Sequence, residues 1–563
     1  MMKTKLIFIA IVAFTMTFCA HAATQEIRVS QLSGELTTNL RNILKSASPT
    51  DRVIIHFDKK GTYTLNGTIE CLCSVEIKGL GQKKTTILLN NGSDQNGFKA
   101  FTDDTFIKCA GTPERPITVD MHDIAIRLKK HEGIWWENSA RIGVKIYHAS
   151  RVNIERVDSY ADNAVFTNFD LRVCSNITIK NCNITCYNNC AAGGNLWIRG
   201  ETRNVEISGN TLRKFGNDEM IAFFESTINA HTGERGHVAR ENIVVNDNQF
   251  IYGDSQFNDS ISCDILLSFI NVGDDIPHVK GYGCHNKNVE FTNNRFEINA
   301  LCLRTISIGF REEDTQEDVK FDGNIFVNND LDTEQRYTHL DILIKDFSAE
   351  QGKVTFSNNS FTNHMPVVNN FGTSGNIIAM LRGGNILLEN NVITDLAPTS
   401  AQTNNTLGTT LIWCGEQGGS ATLIGNEATG LAGLATVSEG AGILHFSLTA
   451  SNNTFEGDTR IYCNNVNKLD LAFTGNSFKS KNMDFFLQEF AKEGSLIFNN
   501  NEVYAQGGQL MTHWANTNPA SMRFNALEVK GNTFFGIPSE SHLLTNIKNV
   551  TRRSIGGNTY YSR

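Results

Sequence analysis

The chain has 563 residues, 40% of them hydrophobic and 19% charged, with only eight prolines and a formal net charge of -9. That length can bury a sizeable core, the scarcity of proline leaves no stiff linker between domains, and the acidic balance argues against nucleic acid or an anionic membrane as the main partner. An acidic ligand would therefore need a local basic patch.

In chain order, the first 22 residues read as a signal peptide. Lys3 and Lys5 precede an apolar run from Leu6 to Phe18, and Ala20-His21-Ala22 sets cleavage before Ala23. Cys19 follows the bulky Phe18, where lipid attachment would want a small residue, so cleavage rather than anchoring is expected. No later stretch approaches the roughly 18 consecutive apolar residues of a transmembrane span. Residues 23–563 are thus expected as one exported domain, secreted, periplasmic or at the cell surface, whose net charge falls to -11 once the two lysines leave. Of 13 cysteines, the 12 after Cys19 permit disulfides without requiring them. Cys182, Cys186 and Cys190 have a metal-like spacing, but no Cys-x-x-Cys pair or nearby histidine completes a zinc set, so buried thiols on stacked strands are expected.

Leu36, Leu40, Ile43 and Leu44 recur with helical period, which predicts a short helix over about 34–47, capped by Ser33 and able to cover an open end of the fold. Further on, one pattern repeats: apolar-x-(Gly, Asn or Asp)-Asn-x-apolar, as in "VEISGNTL". Its central residue is Asn210, Asn248, Asn294, Asn324, Asn359, Asn391, Asn426, Asn453, Asn476, Asn501, Asn532 and Asn558, with Cys182 in the same place one unit earlier and Val157 and His122 continuing it backwards. The spacing varies from 23 to 46 residues, as expected where a turn is fixed and one loop per unit absorbs the difference. Asparagine tolerates the left-handed backbone of a sharp corner, and its amide can bond to the same amide one coil on.

A third apolar strand precedes each pair, as in "NLWIRGE", "MIAFFES" and "LDILIKD". Three strands per turn predict an all-β, single-stranded right-handed parallel β-helix, spanning roughly 58 Å from Cys182 to Asn558 at about 4.8 Å per coil. No second lid is evident after Asn558, where the tail carries Tyr560 and Tyr561.

The stretch "GTYTLNGTIECLCSVEIKGLG" at residues 61 to 81, followed by Thr85 to Leu88 and then the asparagine ladder, resembles the first coils of the pectate-lyase-like superfamily. The resemblance covers nearly all of residues 23–563. It implies an exported carbohydrate-active protein whose polysaccharide substrate lies along the strands "VKIYH", "VFTNF", "LWIRG" and "IAFFE". Fold alone does not fix chemistry, and the motifs depart from both familiar mechanisms. Asp274-Asp275 stands alone and Gly236-His237-Val238 breaks the motif expected of polygalacturonase-like members, while the Trp-Ile-Asp-His and Arg-x-Pro-x-x-Arg segments of pectate-lyase-like members are missing.

Alternation along these strands directs Val144, Ile146, Leu196 and Ile198 inward and leaves Lys145, Tyr147, Trp197 and Arg199 outward, with Phe166 and Asn168 on the outward face between them. Trp135, Trp136, Tyr147 and Trp197 are the best platforms for a sugar ring, although paired tryptophans also seal loops. Asp162, Asp218 and Glu219 fall at one rim. Two such carboxylates could act as the acid and base of a glycoside hydrolase, although solvated turns have the same composition. A lyase needs other parts: a base such as Lys145, and a cation such as Arg199 to clamp a uronate carboxylate. His148, His231 and His237 are alternative bases that read more simply as loop histidines.

Calcium, which the resemblance implies can supply the neutralising charge, would take oxygens from Asp162 and Asp218, or from Asn328, Asp330, Asp332 and Glu334, a run that equally fits solvated acid. "GLGQKK" lacks the spacing of a nucleotide loop. Two classes of function therefore stand: a polysaccharide-degrading enzyme, with β-elimination of an acidic glycan ahead of hydrolysis, and a non-catalytic glycan-binding or adhesive β-helix. The sequence sets no oligomeric state.

Overall fold

The computed structural model describes residues 23–90, 105–128, 142–162, 166–187, 194–215, 219–224, 238–253, 267–269, 284–299, 306–308, 315–329, 342–345, 353–364, 376–381, 384–396, 410–415, 418–480, 485–488, 491–505, 511–514, 523–545 and 549–561. Residues 1–22, expected as a signal peptide, and Trp135, Trp136, Asp218, His231, His237, Asp274, Asp275, Asp330, Asp332 and Glu334 lie outside the described residues.

Each coil is built around a corner. The chain enters the left-handed region for one residue, as at Asn181 (φ 54°), Gly209 (φ 63°), Asp247 (φ 55°) and Asn293 (φ 53°), and the next residue turns its side chain into the coil. From Asn210 onward that residue is asparagine. The Asn294 amide donates to Asn324 Oδ1 at 3.0 Å and to the Val245 carbonyl at 2.7 Å, while its backbone N–H donates to the same Asn324 Oδ1 at 2.9 Å. The same three bonds recur from coil to coil, through to Asn532 bonding Asn558. Every rung from Asn210 to Asn532 that makes them is buried, so the ladder satisfies polar groups that water cannot reach.

Cys182 holds the preceding rung: its N–H donates to Asn210 Oδ1 at 2.9 Å and its thiol faces the Ile154 carbonyl at 3.6 Å. Val157 precedes it as expected, but the rung before that is Ile124, not His122. The left-handed residue there is Asp123, and Val157 pairs with Ile124 while Glu155 pairs with His122. The sequence pattern was anchored two residues early because Asp123 and not an asparagine pair marks that corner.

Strands stack in parallel and in register on three faces. Thr24–Arg28 pairs with Arg52–His56 and that with Ser74–Lys78; Gly61–Leu65 pairs with Thr85–Leu89; Ile69–Cys71 pairs with Thr105–Ala110. Among the described residues, 42 strands join one continuous sheet, which gives the right-handed parallel β-helix its closed, edge-poor wall. Aromatic columns fill the interior along the axis: Phe250, Phe296, Phe326 and Phe361 stack at 4.7–4.8 Å between ring centroids, beside Phe291, Phe321 and Phe356 at 4.6–4.7 Å. Those distances match the coil rise, so each ring packs on its equivalent one coil away.

The N-terminal end is covered by helix α1, Leu36–Ser46, which buries Leu40 and Leu44. Its cap is Glu35 and not Ser33. The Glu35 carboxylate accepts from the N–H groups of Thr37 and Thr38 at 3.0 and 2.6 Å, and Ser33 instead offers its carbonyl to the Asn39 amide. At the other end no helix follows the last coil among the described residues. Tyr561 stacks on Phe535 at 4.9 Å and Tyr560 on Phe534 at 5.5 Å, so the tail packs its rings on those of the coil before it. Eight of the described cysteines, Cys182 and Cys186 among them, are buried thiols outside any disulfide, and no helix of the described residues is long and apolar enough to cross a membrane.

Candidate functional site

Five successive strands of the third face carry the site: β1 (Thr105–Ala110), β2 (Ile142–Tyr147), β3 (Thr167–Arg172), β4 (Leu196–Arg199) and β5 (Ile221–Phe224). Their alternate residues Ile107, Val144, Ile146, Phe169, Leu171, Leu196 and Ile198 are buried in the core. The intervening positions form two columns directed away from it. Register places Lys108, Lys145, Asp170 and Trp197 in one, and Tyr147, Arg172 and Arg199 in the next.

Asp170 organises the cluster. It is fully buried, at 0% exposure, and Arg172 grips its Oδ2 with two hydrogen bonds, from Nε at 3.0 Å and Nη2 at 2.8 Å. Arg199 approaches from the next coil, its Nε 3.1 Å from Asp170 Oδ1, as an ion pair without hydrogen-bond alignment. Burial pushes the Arg199 guanidinium down from its ordinary value, against the opposing pull of Asp170. The same guanidinium lies over the Trp197 ring at 4.5 Å. Lys145, only 6% exposed, sits one coil before Asp170 with its Nζ 5.3 Å from the Tyr147 ring centroid, and Arg172 lies over that ring at 5.4 Å. One coil earlier, Lys108 pairs with Glu70 at 2.9 Å.

The structure thus brings together Lys145, Tyr147, Trp197 and Arg199, and adds Lys108, Asp170 and Arg172, which the sequence reading passed over. Phe166 and Asn168, expected on the outward face, are buried; Asn168 bonds the Ser159 hydroxyl and the Thr185 carbonyl at the strand's start. The outward positions of the strand lie further along, at Asp170 and Arg172. Aligning "VKIY", "FDLR" and "LWIR" as apolar-x-apolar-x would have found both.

Glu219 lies apart. It precedes β5 and its carbonyl faces Gly194, where an added Cβ would sit 2.6 Å from that oxygen and 2.7 Å from Trp197 Nε1. Asp162 ends its strand opposite Tyr187. His148 is buried at a left-handed position (φ 46°) directly after β2.

The cluster around Asp170 does not fit a divalent cation. Its single carboxylate is enclosed by two guanidiniums, which would repel a dication and already meet its charge. Among the described residues, no group of three or more His, Cys, Asp or Glu side chains gathers as a metal site. What the cluster offers is the reverse: four cations, Lys108, Lys145, Arg172 and Arg199, against two carboxylates, Glu70 and Asp170, on a chain whose overall charge is negative. Two rings lie within it.

No protein-family model matches the chain, and no curated protein matches it. Among solved structures it is similar to the catalytic unit of a thermostable GH87 α-1,3-glucanase from Streptomyces thermodiastaticus strain HF3-3, at 14% identity over 77% of this chain and 70% of that one, with a TM-score of 0.41. It is also similar to the Streptococcus pneumoniae surface protein and adhesin PfbA, at 13% identity over 94% and 100% of the two chains and a TM-score of 0.34. A third likeness is to the A-module of an Azotobacter vinelandii mannuronan C-5 epimerase, at 10% identity over 95% and 99%, with a TM-score of 0.33. At these values the comparisons assign the chain to no family.

Proposed function

We propose that the protein is an exported polysaccharide-degrading enzyme, a lyase that cleaves an acidic, uronate-containing glycan by β-elimination along the third face. The observation that carries this reading is the cationic cluster of Lys108, Lys145, Arg172 and Arg199, interleaved with Tyr147 and Trp197, on an otherwise acidic chain. Long-range repulsion from the chain's net charge is then overcome locally, where fixed cations meet the sugar carboxylates.

In this reading Arg199 clamps the uronate carboxylate. Its Nε lies 3.1 Å from Asp170 Oδ1, and its planar fork suits the two oxygens of a sugar carboxylate. Lys145, acting here as the neutral amine, removes the proton α to that carboxylate as negative charge develops on its oxygens. The electron pair moves into a new carbon–carbon double bond, the glycosidic C–O bond breaks, and Lys145 returns the proton to the leaving oxygen. Asp170 and Arg172 hold Arg199 in place, and Tyr147 and Trp197 face the sugar ring. A calcium ion, where one is used, would take its oxygens from Asp162 and Asp218.

The test is incubation with a panel of uronic-acid polysaccharides, following the ultraviolet absorbance of the unsaturated product. Parent protein should generate it and Lys145→Ala should not. Reducing ends without that absorbance, lost in Asp218→Ala and Glu219→Ala, would mark a glycoside hydrolase instead. Retention of glycan by the parent with no member cleaved would mark a non-catalytic binder, a role that the engagement of both arginines with Asp170 equally accommodates.

A further inference from the structure

Arg240 lies in β6 (Val238–Asn246), two coils beyond β3, and is unlike any other arginine described. Its side chain is fully buried at 0% exposure, and none of its three guanidinium nitrogens has a hydrogen-bond partner among the described residues. Register puts it in a column of buried polar side chains, Thr202, Arg240, Asn286 and Gln316. None of its column neighbours is charged. The Thr202 hydroxyl donates to the Gly200 carbonyl, and the Asn286 amide donates to Gln316 Oε1 at 2.9 Å.

The adjacent carboxylate does not serve Arg240 either. Glu241 belongs to the neighbouring outward column and faces Arg203 at 3.5 Å, and in the same column Lys287 pairs with Glu317 at 2.8 Å. A guanidinium carries five N–H donors in a rigid fork and stays charged at any physiological pH. Burying one without an acceptor is among the most unfavourable arrangements a fold can contain.

We infer that Arg240 holds a small oxyanion, of the carboxylate or phosphate type, enclosed within the wall of the β-helix. Both shapes present two oxygens at the spacing of the fork. The site is distinct from the cationic cluster: Arg240 is buried at the start of a first-face strand, while Arg199 lies on the third face. It does not rest on the lyase reading.

The test uses the full chain at constant ionic strength. The melting temperature should rise by roughly 1 °C for each tenfold increase in phosphate or acetate once the site fills. Arg240→Met should show no such slope and fold without the anion, since an apolar side chain of similar length removes the buried charge. Arg240→Lys keeps the charge without the fork and should show a weaker slope. Calorimetric titration of the parent should find one saturable site, with the phosphate and acetate arms telling a tetrahedral from a planar ligand. Equal slopes in parent and Arg240→Met, or no saturable binding of either anion by the parent, overturns the inference. Should Arg240→Met not fold, calorimetry on the parent and Arg240→Lys still decides.

Discussion

An asparagine next to a left-handed corner meets two demands at once: it is compatible with the bend, and it carries a donor and an acceptor on one short arm. Asn359 accepts from the N–H and the amide of Asn324 and donates to the Phe321 carbonyl and to Asn391 Oδ1. Asn359→Ala should strand the Asn324 N–H and the Phe321 carbonyl, each costing about 1–3 kcal/mol when buried, and a lowered urea midpoint would show it. The converse applies at Cys182, whose thiol already faces the Ile154 carbonyl that an amide would reach. Cys182→Asn should therefore raise the midpoint, by about 1 kcal/mol for the added hydrogen bonding. At Asp170 the issue is charge. Asp170→Asn keeps the shape but leaves Arg172 and Arg199 facing each other across a neutral amide. The loss should be about 1–3 kcal/mol, less than for a wholly buried pair because both arginines keep some contact with water. Glycan retention should fall with it, measurable on an affinity gel.

The corners were legible in the sequence because few residues tolerate them; the strands between were legible only in part. Alternation counted from Val144 and Ile146 gave the direction of Lys145 correctly, since two β-branched residues fix the phase. In "VFTNFDLR" the phenylalanines at 166 and 169 have opposite parity, and both are buried, one in the strand and one before it. The reading stopped at Phe169 and missed Asp170 and Arg172. For helix α1, period alone gave the span within two residues, while the cap depended on which side chain could reach the first N–H groups. Glu35 does so, and its bonds to Thr37, Thr38 and Asn66, prevailing over partial burial, hold its carboxyl down at about 2. A carboxylate with a depressed folded value stabilises above its unfolded value and loses that contribution as pH falls. The melting-temperature gap between parent and Glu35→Gln should accordingly be full above about pH 4.5 and close as pH drops toward 2.

At the scale of the whole molecule, charge is distributed unevenly: the chain is acidic overall while four cations share one stretch of the third face. Attachment of a uronate polymer there should weaken markedly as salt rises past about 0.1 M, where screening acts within about 10 Å. Attachment of a neutral glucan should change little, and parallel binding curves at two ionic strengths would separate the cases.

The ladder has a further consequence for how such a molecule can change size. Because each rung bonds only to its immediate neighbours, a coil behaves as an interchangeable module, and excising residues 324–358 joins the corner Gly323 to Asn359 with the bend and the rung both intact. Asn294 would then meet Asn359 where it now meets Asn324. The shortened protein should fold, scatter X-rays as a rod shorter by about 4.8 Å, and keep the cluster around Asp170 untouched several storeys away.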